Sequence, residues 1–226
     1  MKTKTKALAL FLSAVLLVVT TVFATMAFLT SEDSVKNTFT FGKVVITLDE
    51  ADVNEKGVVE KGGDRTATAD RVKENIYHLI PNHYYVKDPT IHVDEDSETC
   101  WLFVKLNNGL KGIIAGKTSY DESDNEAETV YTIEAQMVKN GWSLIDSDKN
   151  IWAYKATADK GADVPVFDSF KLTETAMVEN FGGTKDADGK VTNSKATIEV
   201  IAYAVQADGF ETAQAAWTAA NGSFEN

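Results

Sequence analysis

Two segments of this 226-residue chain carry apolar side chains on both faces of an extended strand. In Ala196–Val205, Ile198, Val200, Ala202 and Ala204 share one face, while Ile201, Tyr203 and Val205 share the other. In Trp101–Leu106, Leu102, Val104 and Leu106 oppose Trp101 and Phe103. Successive side chains of a strand point to opposite faces, so such a segment needs cover on both sides. Both are therefore expected in the middle of a sheet, and the rest of the chain must supply the covering layers.

The remaining patterning is consistent with that demand. From Phe39 to Leu48 the apolar residues alternate, but the phase flips at Gly42 and Lys43, which predicts a bulge or kink there. Residues 49–75 turn polar and read as a loop, with room for a short hairpin or helix. Ile76–Val93 is rich in strand formers interrupted by Pro81 and Pro89, which remove ladder donors and predict two short strands or an edge strand. Asn107, Asn108 and Gly109 supply turn chemistry after the Trp101–Leu106 strand. Val130, Ile133, Met137 and Val138 recur at helical spacing until Asn140 and Gly141. Trp142–Ile145 and Ile151–Lys155 flank a polar run as a hairpin would, and Val164–Leu172 reads as one more strand. Near the end, Ala213, Ala216, Trp217 and Ala220 form a helical stripe. Seven or eight short strands with two short helices predict a mainly β fold, an antiparallel β-sandwich or jelly roll.

The N-terminus predicts export. Lys2, Lys4 and Lys6 precede an uncharged run from Ala7 to Leu29, with small residues at Ala24 and Ala27. This is the layout of a secretory signal, with cleavage expected between Ala27 and Phe28, or after Ala24. The competing reading is an uncleaved membrane anchor, because about 20 apolar residues suffice to span a bilayer. The expected organisation is a signal helix at 1–27, an N-terminal segment at 28–42 and one β domain at 43–226.

Residues 1–27 hold three lysines and no acid, so the mature chain carries 19 basic against 34 acidic residues, a net charge of −15. Such a charge disfavours nucleic acid and anionic membrane as partners, so membrane contact is expected only through the signal segment. The single cysteine, Cys100, excludes an intramolecular disulfide. It stands beside Trp101 in an apolar run and is expected to be a buried small hydrophobe.

Catalytic chemistry is not legible in these residues. His78, His83 and His92 lack the two-histidine helical spacing and adjacent glutamate of the common zinc hydrolases, although they would meet if they lay on paired strands. No serine has the glycine setting of a nucleophile elbow. Asp94, Glu95 and Asp96, or Asp121, Glu122 and Asp124, would suit calcium, as would Asp186–Gly189, yet polar turns use the same letters. Tyr84, Tyr85, Trp101, Trp142, Trp152 and Trp217 read mainly as core, with carbohydrate stacking as the alternative. No catalytic, cofactor-binding or metal residue is assigned.

Three blocks of sequence carry a resemblance. The first is Ala27, Phe28, Leu29, Thr30, Ser31, Glu32 and Asp33, followed by Asn37 to Gly42. The second is Leu79, Ile80 and Pro81, with Tyr85, Lys87, Asp88, Pro89 and Thr90, leading into Cys100–Val104. The third is Ala202–Phe210 with Ala215, Ala216 and Trp217. Together these resemble the SipW-dependent secreted proteins related to TasA and camelysin. The resemblance implies a Gram-positive protein of the cell surface or extracellular matrix, processed by a dedicated signal peptidase. It also implies a jelly-roll domain that self-associates into biofilm fibres, in which an N-terminal segment of one subunit adds as a strand to the next. The donor would be Phe28 to about Phe41, anchored by Phe39 and Phe41. A surface adhesin or ligand-binding domain is the alternative function, and a camelysin-like metalloendopeptidase a further one for which no catalytic residue can be carried over.

Overall fold

The computed structural model describes residues 3–29, 42–59, 70–125, 127–176, 184–185, 191–192 and 196–220. The chain divides into two units, Met1–Phe41 and Gly42–Asn226. In the first, α1 runs from Thr3 to Leu29. Its side chains are described to Val18, and among the described residues no helix is long and apolar enough to cross a membrane. Cleavage at Ala27 and Phe28 falls on the last turn of α1, whose side chains lie outside the description, as do Phe39 and Phe41.

In the second unit the strands are β1 (Ile46–Ala51), β2 (Arg71–Val72), β3 (Tyr84–Val86), β4 (Thr90–Val93) and β5 (Cys100–Asn108). After helix α2 (Ile133–Lys139) come β6 (Trp142–Asp146), β7 (Ile151–Tyr154), β8 (Asp163–Pro165) and β9 (Ser169–Lys171). The chain then adds β10 (Thr184–Lys185), β11 (Val191–Thr192), β12 (Ile198–Gln206) and helix α3 (Ala213–Ala219). Two four-stranded sheets, ordered β2-β1-β4-β8 and β12-β5-β7-β6, dominate; β10-β11 and β3-β9 form two-stranded pairs, and every pairing is antiparallel. The protein is thus mainly β with antiparallel sheets.

β5 is the centre of this arrangement, as its two-faced pattern predicts. It pairs with β12 along its whole length and with β7 on the other side. Leu102, Val104 and Leu106 enter a core shared with Ile91 and Val93 of β4 and Val164 of β8, so one apolar cluster joins the two large sheets. Phe103 and Trp101 face a second cluster closed by Trp217 and Ala216 of α3. The Phe103 and Trp217 rings lie 5.0 Å apart.

The helices begin and end for local reasons. Thr132 caps α2, its hydroxyl accepting from the Ala135 N–H, so the helix starts at Ile133 and Val130 stays outside it. At the far end Gly141 has φ +89°, and a Cβ there would come within 3.0 Å of the Tyr154 ring. Thr212 caps α3 in the same way through the Ala215 N–H. The Trp142–Tyr154 hairpin forms as expected, with a register shift between Leu144 and Asp146.

Several expectations are corrected. Residues 49–75 are not simply loop: β1 continues to Ala51, and β2 pairs with it through Glu50–Val72 and Ala51–Arg71. Val164–Leu172 is not one strand but two in different sheets, β8 and β9, separated by buried Val166 and Phe167. The Ala196–Val205 segment is not mid-sheet among the described strands: β12 comes last in the order β12-β5-β7-β6, and its apolar residues are only half-buried. The bulge expected at Gly42 falls before the first described strand, because β1 starts at Ile46.

Because Phe103 is fully buried between its sheet and α3, Phe103→Ala is expected to cost about 3–5 kcal/mol in urea unfolding. A loss below about 1 kcal/mol would show that the second cluster is not a tightly packed core.

Candidate functional site

The register of β12 decides which of its backbone groups are used. Ala207 N–H donates to Thr99 O and Gly109 N–H to Thr197 O, so the odd-numbered residues of β12 exchange hydrogen bonds with β5. The N–H and C=O groups of Ile198, Val200, Ala202 and Ala204 therefore point away from β5, and no described strand meets them. A row of backbone groups that no strand meets is a template for another strand. The side chains of the same four residues turn inward and pack against the core shared by the two sheets.

Beside this edge lies a cleft of about 710 Å³. Ala196 to Val200 form one wall, Leu48, Asp49 and Glu50 of β1 another, and Lys73 to Tyr77 a rim. Leu79, Leu110 and Phe170 make its apolar floor. Ile76 stands 73 % exposed at the rim, which is a large apolar surface left to solvent.

The β1 side of the cleft holds a dense polar network. Glu50, 4 % exposed, accepts from Lys87 Nζ at Oε2 (2.6 Å) and from Asn75 Nδ2 at Oε1 (2.9 Å). Asn75 Nδ2 also donates to Ala51 O at 2.9 Å, and its Oδ1 accepts from the Val53 N–H at 3.0 Å. One strand position away, Arg71 bridges Asp49 and Asp88. Asp88 Oδ1 takes the Ala51 N–H at 2.8 Å. His92 of β4 places Nε2 2.8 Å from Asp49 and Nδ1 2.5 Å from Asp163.

Electrostatics follow from this packing. Burial alone would raise the Asp49 carboxyl, but the hydrogen bonds from Arg71 and His92 outweigh it and hold its pKa below the ordinary carboxylate value of 3.8. Burial, then the carboxylates of Glu50 and Asp88, push the Tyr77 hydroxyl well above its usual range. Burial, then Asp159, raise the Cys100 thiol to about 11, so this side chain behaves as the inert hydrophobe expected of it.

The other residues singled out in the sequence are placed differently. The three histidines do not share a site: His92 is tied to Asp49 and Asp163, His83 contacts Lys56 O and the Tyr85 ring, and His78 is exposed. Among the described residues no group of three or more histidine, cysteine or acidic side chains is arranged to hold a metal ion. Asp121 turns its carboxylate onto Ser123, Asp124 is taken by Lys117 and Tyr131, and Asp94 holds the Asp96 N–H, the bonding of polar turns. Asp186–Gly189 lies outside the described residues. Tyr85 and the four tryptophans are buried core, with Trp142 donating to Pro165 O and Trp152 to Asn150 Oδ1. Sequence reasoning missed Glu50, Asn75 and Lys87, because residues 25 and 37 positions apart from Glu50 meet only through the β1 and β3 neighbourhoods.

No protein-family model, curated protein or solved structure matches this chain. Fold and site define a mainly β, antiparallel domain in which, among the described residues, one edge of β12 meets no strand and lies beside a cleft of mixed polar and apolar lining.

Asp49 is held below its unfolded value, so its pairing contributes fully above that value and is lost as pH falls through the lower folded one. Asp49→Asn is expected to lose about 1–3 kcal/mol at neutral pH, with the gap to wild type closing below about pH 4. Urea midpoints measured across that range check this; a gap that stays constant with pH would refute the pairing.

Proposed function

We propose that this chain is a secreted structural protein of the cell surface or biofilm matrix, a TasA-like subunit that polymerises by strand addition. In this reading residues 1–27 are a SipW-type signal peptide removed at Ala27–Phe28, and the β domain is a sandwich of jelly-roll type. The observation that carries the proposal is the edge of β12 that no described strand meets, beside a cleft with an apolar floor. The three blocks of resemblance to the TasA and camelysin proteins support it.

Strand addition fits this edge in detail. A segment laid along β12 would receive hydrogen bonds from the outward groups of Ile198, Val200, Ala202 and Ala204. Every second side chain of that segment would then point toward the cleft. Phe39 and Phe41 are two residues apart, so in an extended donor segment both rings would share one face and enter the cleft together. Burying two aromatic side chains would supply the apolar energy that backbone pairing alone does not. A surface domain that binds a ligand in the same cleft is the second reading, since its volume falls within the usual range for such sites.

The mature protein is expected to form regular fibres at rising concentration, seen by negative-stain microscopy. Deleting Phe28–Asn37, or replacing Ala202 with proline to remove one outward N–H while leaving the β5 bonds of Ile201 and Tyr203, should abolish them. Circular dichroism would check that both variants remain folded. Undiminished fibres from either folded variant would sink strand addition at this edge, and wild type that stays monomeric throughout would favour the ligand-binding reading.

A further inference from the structure

The Glu50, Lys87 and Asn75 cluster has a geometry that neither fold nor fibre formation requires. A buried glutamate paired with a lysine is by itself an ion pair. Here the same carboxylate holds an amine on one oxygen and a carboxamide on the other, at 2.6 and 2.9 Å. The lysine side chain is 11 % exposed and that of Glu50 5 %. The amide cannot rotate away, because Ala51 O holds its nitrogen and the Val53 N–H holds its oxygen. A nucleophile, a proton relay and a leaving group thus meet on one carboxylate, with a donor at the amide oxygen, the set of groups an acyl transfer needs.

We propose that Lys87 and Asn75 join in an intramolecular isopeptide bond, formed by the protein itself with Glu50 as catalytic residue. A proton passes from Lys87 Nζ to Glu50 along their hydrogen bond, leaving a neutral amine. Its lone pair attacks Asn75 Cγ, and the carbonyl electrons move onto Oδ1, where the Val53 N–H receives the developing charge. Glu50 takes a proton from the attacking nitrogen and returns one to Nδ2. The carbonyl re-forms, the Cγ–Nδ2 bond breaks, and nitrogen leaves as ammonium, carrying the proton that Glu50 held. One N–C bond forms, one breaks, and no oxidant or metal takes part. The burial of Lys87 and Glu50, whose side chains are 11 % and 5 % exposed, limits the water that could compete by hydrolysing the amide.

The consequence is a covalent clasp closing the segment between Asn75 and Lys87, which forms the rim of the cleft and includes Tyr77 and exposed Ile76. A chain with one cysteine has no disulfide available for this purpose. The proposal stands on these three side chains alone and is independent of whether fibres form.

Intact mass spectrometry of the full chain under denaturing conditions tests it. Wild type is expected to be lighter than its own sequence by one ammonia, and digestion should yield a branched peptide joining Asn75 to Lys87, with trypsin unable to cut after Lys87. Glu50→Gln and Lys87→Arg should each restore the full mass. Wild type at full sequence mass after prolonged incubation would overturn the proposal, as would an ammonia deficit that maps elsewhere, for example to a succinimide at Asn140–Gly141. The wild-type reading is decisive even if a variant fails to fold, because mass and branching are read on the denatured chain.

Discussion

The two-sided burial of β5 is the constraint on which the rest of the second unit depends. Its inner face shares a core with β4 and β8, and its outer face is covered by α3 through Phe103, Trp101 and Trp217. With no disulfide to limit the unfolded chain, that apolar burial must offset the conformational entropy of ordering. Its strand neighbours are set by the same element, since β12 pairs along its full length on one side and β7 on the other. At the far side of β12 no further described strand pairs.

Opposite this apolar centre, the β1 side of the domain is built on charge. Arg71, Asp49, Asp88, His92 and Asp163 form one connected set, and Glu50, Lys87 and Asn75 another. Burying charges is costly unless each is paired and hydrogen-bonded, and here the carboxylates meet cations, backbone N–H groups or both. Such sites hold geometry tightly. That rigidity positions the amide of Asn75 against the carboxylate of Glu50 and shapes one wall of the cleft, so the polar network and the start of β12 line the same space.

Much of the local structure was legible in the chain. Alternation placed β5, the β6–β7 hairpin and the strand at Ile198–Gln206; helical spacing placed α2 and α3; and the apolar surroundings of Cys100 marked it as core. The errors share one cause. The apolar residues on both faces of β12 imply cover on both faces, but they carry no information about whether a further strand lies alongside, because lateral pairing uses backbone groups that every residue possesses. In the same way the unbroken strand signal of Val164–Leu172 could not reveal that the chain changes sheets at Val166 and Phe167.

By itself, then, the sequence determined an acidic, mainly β chain without an intramolecular disulfide, in which three lysines precede an uncharged N-terminal run, because charge, cysteine count and side-chain period are properties of consecutive residues. Only the tertiary structure decided that β12 is the last described strand of its sheet, that a cleft opens between it and β1, and that Glu50 meets Asn75 and Lys87. Those are relations between residues far apart in the chain, set by which strands pair and which side chains share a core, and no local pattern encodes them.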